Sequence, residues 1–368
     1  MFAHNPELKN IFNMSNQRSG GQPQALFDSL CAYAVNIENL GALLPAVERI
    51  AQKHCSFNIT PEMYSIVGLH LLETIREEFN PGEEILNAWG DAYKVLADVF
   101  IKREEQLYSE AEKMVGGWRG TREFTIVKKE KQSDAITSFL LKPVDGGKVV
   151  SYQPGQYLGV YIDHPSFENR EIRHYSLTLE PNTEYYRIAV KKEQDGRVSS
   201  FLHEVAKDGD VIKAAAPRGD FFLNASSITS NTPVTLISGG VGQTPLLSML
   251  HYLQTSQHQG QVNWVHAAQN LSTRAFNEEV EKIGATLPKF KSFQFLSEVS
   301  PSALQVDNTF AGRINLSQLD KDLIKQDDMH YYTCGPVGFM QEVAKQLLSM
   351  GVPVSNIHYE LFGPHKVI

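Results

Sequence analysis

Near the middle of the chain, Arg173-His174-Tyr175-Ser176-Leu177 sets a guanidinium, a phenol and a hydroxyl at i, i+2 and i+3. On an extended segment such a set can hold a flavin. The guanidinium meets a phosphate, the phenol stacks on or bonds to the isoalloxazine, and the hydroxyl reaches ring atoms. Taken alone, the five residues fit an ordinary half-buried strand equally well, and it is the order of their neighbours that decides. Gln153-Pro154-Gly155-Gln156-Tyr157 precedes them. Two phosphate-binding candidates follow, Gly196-Arg197-Val198-Ser199 and Gly240-Val241-Gly242-Gln243-Thr244-Pro245. Glycines where a strand turns into a helix let backbone N–H groups approach a diphosphate. The second turn is not the G-x-G-x-x-G fingerprint, because Pro245 takes its last place. By itself it is a weak signal.

The elements that must position these groups follow from periodicity. From residue 122 the pattern has period two, in Phe124-Thr125-Ile126-Val127, Ile136–Leu141, Tyr157–Ile162 and Tyr186–Val190. Turn signals separate them at Asp145-Gly146-Gly147, Gln153-Pro154-Gly155 and Asp195-Gly196, and Gly219-Asp220-Phe221-Phe222 closes the series. Short strands at this spacing predict a small antiparallel barrel. From residue 232 strand and helix alternate, with strands at Val234–Ser238, Val262–His266, Ser292–Leu296 and His330–Thr333, the pattern of an α/β domain. The last strand runs into Cys334-Gly335-Pro336. No histidine–carboxylate partner is implied for Cys334, so packing is its expected role rather than nucleophilic attack. After the second strand, Ala267-Ala268-Gln269-Asn270 offers no carboxylate for a ribose 2′-hydroxyl, while Ser272 and Arg274 could hold a 2′-phosphate. A solvated loop fits as well, and NADH is the expected nucleotide, with NADPH also possible.

The chain before residue 108 reads as helical throughout. Thr60-Pro61 and Asn80-Pro81-Gly82-Glu83 are helix starts, followed by apolar stripes at Met63, Ile66, Val67, Leu71 and Ile75, and at Ile85, Trp89, Ala92, Leu96 and Phe100. A longer helical stretch spans Gln24–Lys53, loosened near Asn36 and Gly41. His54 ends the apolar face of Val47, Ile50 and Ala51, with Tyr64 ten residues on. A histidine in such a place is ordinarily core or surface packing. The expected divisions are residues 1–107, a hinge at 108–118, a barrel at 119–225 and the α/β domain at 230–368.

Composition narrows the classes. At 368 residues there is room for two or three cores, and 42% hydrophobic with 21% charged content is ordinary for a globular protein. A net charge of -8 with no basic block argues against nucleic acid or an anionic membrane as partner. Cys31, Cys55 and Cys334 are too few and too scattered for a disulfide framework, so a reducing cytoplasm is expected; a monomer is expected as well, though not from the cysteines.

The stretch Asn5-Pro6-Glu7-Leu8-Lys9-Asn10-Ile11-Phe12-Asn13-Met14-Ser15-Asn16-Gln17 resembles the helix-C and CD-corner segment of bacterial flavohaemoglobins. The resemblance then runs without a large gap to Gly363-Pro364-His365-Lys366-Val367-Ile368. It implies an all-α globin domain, an antiparallel β-barrel FAD domain and an α/β NAD(P)-binding domain of the ferredoxin-reductase type. It makes His54 the proximal ligand of haem b, with Tyr64 and Glu104 holding the other ring nitrogen. It makes Lys53 and Glu360 tuners of the redox centres, Phe12 a wedge against the porphyrin, and Gln22 and Leu26 distal-pocket residues. It assigns FAD to Tyr157, Arg173, His174, Tyr175, Ser176, Gly196, Val198 and Ser199. The dinucleotide falls to Gly240 through Pro245, with Cys334, Gly335 and Pro336 beside the nicotinamide. Phe362 then covers the isoalloxazine, with Leu361, Gly363 and Pro364 as cofactor-binding neighbours.

Family members carry helices A and B ahead of the Asn-Pro-Glu-Leu motif, whereas this sequence opens at Met1-Phe2-Ala3-His4, so an N-terminally shortened globin is expected, started at an internal methionine. The family's distal tyrosine lies on helix B, and the first tyrosine here is Tyr33. A shortened globin should expose apolar surface. The activity implied is nitric oxide dioxygenation: NO and O2 become nitrate with electrons from NAD(P)H through FAD and haem, a defence against nitrosative stress. Two other activities fit the same motifs: a haem-poor NAD(P)H reductase of flavin, ferric iron or quinones, and a non-catalytic haem or gas sensor.

Overall fold

Apolar residues three and four apart build the N-terminal helices in the computed structural model, which describes residues 1–14, 17, 20–299, 301 and 303–363. The chain divides into two compact units. The first comprises residues 1–123, 158–174 and 212–220, and the second residues 124–157, 175–211 and 221–368.

In the first unit, α1 (Gly21–Val35), α2 (Leu44–Ser56), α3 (Pro61–Phe79) and α4 (Glu83–Lys113) form the globin part. Thr60 is extended ahead of Pro61, whose missing N–H costs nothing at the first helical position. Ala51, Cys55, Phe100 and Leu107 are buried between α2 and α4, flanked by Val47, Ile50, Tyr64, Leu96 and Tyr108. α3 meets α4 where Gly68 lies under Tyr93, so close that a Cβ there would stand 2.4 Å from the ring. Arg103 clamps Glu48 with two bonds of 2.6 and 3.0 Å, tying α4 to α2. Leu26, Phe27, Leu44, Leu69 and Phe79 remain exposed, in line with the apolar surface expected of this region. The segment expected as a hinge from residue 108 is still α4 as far as Lys113. Its apolar stripe continues through Leu107 and Ala111 at helical spacing, and no glycine interrupts it before Gly116.

The strands β1 (Arg122–Lys131), β2 (Ile136–Pro143), β3 (Tyr157–Ile162), β4 (Glu171–Ser176), β5 (Tyr186–Lys191) and β6 (Val211–Ala214) form a six-stranded sheet in the order β4-β3-β6-β1-β2-β5. The paired strands β1–β2, β2–β5 and β3–β6 are antiparallel. A bridge from Leu177 to Ile188 brings the chain after β4 back to β5, which gives the sheet its barrel character. Helix α5 (Arg197–Glu204) follows the Gly196 turn.

The C-terminal part of the second unit is a parallel sheet, in the order β10-β9-β8-β7-β11-β12. Its strands are β7 (Val234–Gly239), β8 (Val262–Ala268), β9 (Phe290–Leu296), β10 (Thr309–Ala311), β11 (His330–Cys334) and β12 (Ile357–Glu360). β7 is buried at every position, as expected of a strand covered on both faces. Leu236, Trp264 and Tyr332 pack into one core with α6 (Gln243–Thr255) and α7 (Asn277–Gly284). Ile237, Val265 and Tyr331 pack into another with α9 (Val337–Ser349), which follows the one-turn α8 (Lys321–Ile324).

A half-buried ion pair joins β5 to α7. Arg187 meets Glu279 through two bonds of 2.6 and 3.1 Å, and His251 reaches the same carboxylate at 2.5 Å. Burial alone would raise the Glu279 carboxyl, but bonds from His251 and Arg187 outweigh it and hold the pKa down to about 2. A carboxyl lowered by folding stabilises the fold above its unfolded pKa, and that contribution disappears as pH falls from about 4.3 towards the folded value. Urea unfolding across that window is expected to show a steep loss of stability that Glu279→Gln flattens. The variant is also expected to lose about 1–3 kcal/mol at neutral pH, because Arg187 is left half-buried without its partner. An unchanged acid limb in the variant would place the loss elsewhere.

Candidate functional site

Three groups of residues, or stations, matter; those of the second fall in both units, and each residue is described with its neighbours in its own unit. The first stands at the end of α2. His54 Nδ1 lies 2.7 Å from Tyr64 Oη and 2.8 Å from Glu104 Oε1, and Tyr64 donates its own hydroxyl to the same carboxylate oxygen at 2.5 Å. α2, α3 and α4 contribute one residue each, so the grouping needs all three helices packed together. Glu104 is 3% exposed and His54 32%, so the carboxylate is enclosed while the imidazole keeps an open side. The Tyr64 phenol is pushed far above its ordinary value, by burial first and then by Glu104, and stays protonated as a donor. Phe100 packs against the His54 ring at 5.7 Å. With Nδ1 engaged, Nε2 has no partner among the described residues, and it is the atom on the imidazole suited to a metal. An apolar wall, one outward nitrogen and a carboxylate behind the other are what a haem ligand requires, so the residues present fit that group. Beside it, the Cys55 thiol is raised to about 12 by burial and is inert.

Phe12, Gln22 and Leu26 share no hydrogen bond or ring contact with His54 among the described residues. Phe12 meets Phe2 edge-on at 5.3 Å, Gln22 is half-buried in the first turn of α1, and Leu26 is 46% exposed. Tyr33, the first tyrosine, is buried and donates to the Ala92 carbonyl at 2.9 Å.

The second station is β4. Arg173 pairs with Glu171 at 2.9 Å and donates to the Ile172 carbonyl at 2.8 Å. Sequence reasoning missed Glu171, although alternate residues on a strand share a face and the i, i+2 spacing was there to be read. His174 reaches Ser56 Oγ at 2.6 Å, and Ser56 in turn donates to the Lys53 carbonyl at 2.6 Å. Ser56 therefore receives the His174 Nε2 proton. The half-buried imidazole is held down to about 3, by desolvation first and then by the charges of Lys53 and Arg173, so it is neutral. Nothing in the sequence marked Ser56. Its place opposite His174 comes from tertiary packing, where Gly159 lets the backbone approach so closely that a Cβ would stand 2.5 Å from the Ser56 carbonyl. Tyr157 opens β3 and is half-buried, Tyr175 continues β4, and Ser176 ends it buried. At the start of α5, Ser199 Oγ donates to the Gly196 carbonyl and accepts from the Glu193 N–H, both at 3.1 Å. That hydroxyl shapes the loop. The backbone N–H groups of the first helical turn are then the ones suited to a pyrophosphate, with Val198 buried behind them. Within its own unit Arg173 suits a phosphate, provided that group competes with Glu171 for the guanidinium.

The third station lies at the carboxyl ends of the parallel strands, where nucleotides bind in open α/β sheets. After β7, Gly240 adopts a φ of +56° and Gly242 is pressed on the β11 end, so that a Cβ would stand 2.2 Å from the Cys334 carbonyl oxygen. Gln243, Thr244 and Pro245 are buried in the first turn of α6, and the Thr244 hydroxyl bonds the Val241 carbonyl at 2.9 Å. Cys334 is fully buried with its thiol raised well above the ordinary value by desolvation, in keeping with packing. Gly335 lies under Phe339, and Pro336 caps α9. At the end of β12, Glu360 Oε1 accepts the Leu361 N–H at 2.9 Å, Leu361 is buried and Phe362 is 49% exposed. Gly363 has a φ of +135°, and Pro364 lies outside the described residues.

Comparison with known proteins agrees with this division of labour. Residues 1–100 match the globin family, 123–223 the oxidoreductase FAD-binding domain and 236–345 the oxidoreductase NAD-binding domain. The chain is similar to the solved flavohemoglobin of Malassezia yamatoensis with bound FAD and heme, at 26% identity and a TM-score of 0.86 over 98% of this chain and 91% of that one. It is also similar to the flavohem-like FAD/NAD binding domain of nitric oxide dioxygenase from Vibrio cholerae O1 biovar El Tor. There the identity is 39% and the TM-score 0.60, over 66% of this chain and 99% of that one. Phthalate dioxygenase reductase, at 24% identity and a TM-score of 0.54, shares the fold over 66% of this chain and 68% of its own.

Proposed function

Because the chain belongs to the flavohaemoglobin family, we propose that it is a nitric oxide dioxygenase, consuming NO and O2 to form nitrate with electrons from NAD(P)H. When bound, FAD would supply the exchange between two-electron and one-electron chemistry and haem an iron able to hold O2. The rest of the mechanism belongs to side chains of this chain.

His54 offers Nε2 to the iron because Tyr64 and Glu104 hold the proton on Nδ1. A buried carboxylate behind the imidazole makes it a stronger donor, which favours O2 activation over storage. Tyr64 is a positioning residue whose hydroxyl orients both groups at once. Arg173 is a guanidinium for a flavin phosphate, the first turn of α5 offers backbone N–H groups to a pyrophosphate, and Gly240 and Gly242 let the nicotinamide dinucleotide approach the backbone. Lys53 and Glu360 set the charge near the redox groups. No helix among the described residues is long and apolar enough to cross a membrane, and we place the enzyme in the cytoplasm as a monomer.

The grouping of His54, Tyr64 and Glu104 at an apolar wall, in one chain with flavin- and nicotinamide-binding parts, carries this reading. Its test is NO consumption by purified, haem- and FAD-loaded protein. NADH-dependent loss of NO with matching nitrate is expected. Flavin reduction by NADH without any NO loss would reduce the protein to a reductase and sink the proposal.

A further inference from the structure

We propose that Glu298 is the residue that selects NADH against NADPH in this chain, by offering a carboxylate to the adenosine ribose and a like charge to a 2′-phosphate. The inference rests on the nicotinamide site at the carboxyl ends of the parallel strands, and it names that site's specificity.

The sequence led to NADH as the expected nucleotide without supplying a carboxylate to account for it. The turn after β8 contains no acid, and it offers Ser272 and Arg274 to a phosphate. The structure engages both elsewhere. Ser272 donates its hydroxyl to Asn270 Oδ1 at 3.0 Å, within a turn in which Asn270 also caps the Thr273 N–H. Arg274 is turned inward, donating to Gln294 Oε1 on β9, with its Nε buried. Burial lowers the guanidinium below its ordinary value, so exposing it to a ligand means breaking an internal contact. Neither side chain is poised for a phosphate.

The missing acid arrives from the neighbouring strand. β8 and β9 are parallel and adjacent, and their ends are zipped together by Ser297 N–H to the Ala268 carbonyl at 3.1 Å and Glu298 N–H to the Gln269 carbonyl at 2.7 Å. This sets the Glu298 carboxylate over the turn after β8. Gln269 donates to Oε1 at 2.8 Å and Asn270 to Oε2 at 3.1 Å, so two side-chain amides from that turn fix its orientation. Those same bonds lower its pKa and keep it ionised. Each carboxylate oxygen can accept a second hydrogen bond, and the side chain stands exposed at the strand ends. An acid at this end of the second strand is how dinucleotide folds bind a ribose 2′-hydroxyl, whereas an available arginine is how they accept the 2′-phosphate. Here the acid is presented and the arginine withdrawn. A carboxylate facing a phosphate is also a repulsive element, and specificity is built from repulsion against the wrong ligand as much as attraction to the right one.

The test uses the full FAD-loaded chain and follows anaerobic flavin bleaching by NADH and by NADPH in a stopped-flow instrument. Calorimetry with AMP and with 2′,5′-ADP adds a readout that needs no turnover. The parent protein is expected to favour NADH in kcat/KM and to bind AMP more tightly than 2′,5′-ADP. In Glu298→Gln, which keeps the shape and removes the charge, kcat/KM for NADPH is expected to rise by about tenfold or more, since like-charge contacts cost several kcal/mol. NADH is expected to lose affinity through KM rather than kcat. Equal use of both nucleotides by the parent, or an unchanged ratio in the variant, overturns the proposal. Bleaching by neither nucleotide overturns the nicotinamide site as well. A failure to consume NO bears on the haem reading alone, because bleaching does not pass through haem.

Discussion

Purified His54→Ala protein is expected to lose its Soret band and its NO consumption while keeping NADH-dependent reduction of ferricyanide. Iron would lose its only protein bond, whereas Glu104 and Tyr64 would keep theirs to each other, so the helices have little cause to rearrange. Removing a group that merely supports a metal ligand costs roughly 10–100-fold in metal affinity or activity. Loss of the ligand itself should exceed that. Glu104→Gln gives the comparison: it keeps a polar group at Nδ1 and removes the charge, so its loss should fall within the range for supporting groups. Absorption spectra, an NO electrode and the ferricyanide assay, run on the same preparations, check the three outcomes together. A His54→Ala protein that still bound haem at unit stoichiometry and consumed NO normally would remove His54 from the site.

The second large effect is mechanical. Gly242→Ala is expected to lower the melting temperature and abolish flavin reduction by NADH, with the flavin still bound. The added Cβ would stand 2.2 Å from the carbonyl oxygen of Cys334, 2.5 Å from its carbonyl carbon and 2.7 Å from the Gly335 nitrogen. All three are backbone atoms, and Cys334 is paired in register with Ser238 of β7 and Glu360 of β12. The obstacle therefore cannot swing aside as a side chain would. Overpacking costs about 1–3 kcal/mol where neighbours can adjust, and here at least the upper end is expected. Each kcal/mol corresponds to roughly 2–4 °C in a domain of this size. Gly338→Ala is the control, because nothing lies within 4 Å of the position its Cβ would take. A melting temperature equal in the two variants would refute the argument.

Legibility in the sequence tracked the range of the interaction. The helix starting at Pro61, the strand at Val234 and the turn at Gly240 were readable because each is written in consecutive residues. So was the trio His54, Tyr64 and Glu104, though only through resemblance, since their spacing alone says nothing. Local reading fell short where partners are distant or unexpected. The stretch expected as a hinge begins as the last turns of α4, where Leu107 and Ala111 still pack. The pairing of Arg173 with Glu171 two positions earlier was not read. Ser56 and Glu298 went unseen because their partners lie on other elements, and only the register of those elements brings them into reach. Short strands such as β6 and β10 are set by pairing rather than by their own residues, and they left no pattern to read.

The burial of Cys334 and Cys55 has a chemical consequence for a flavin- and haem-dependent oxidoreductase. Oxidants and nitrosating agents attack exposed thiolates, and susceptibility follows both exposure and ionisation. Cys334 is sealed at the nucleotide turn, and Cys55 behind the haem-side histidine, each with its thiol held protonated. Both stand where a bulky adduct would do most harm, and both are beyond reach in the folded state. Of the three cysteines Cys31, on the surface of α1, is the exposed one and so the one open to S-nitrosation or glutathionylation. Oxidants meeting the folded protein are therefore expected to mark Cys31 and to leave Cys55 and Cys334 unmodified.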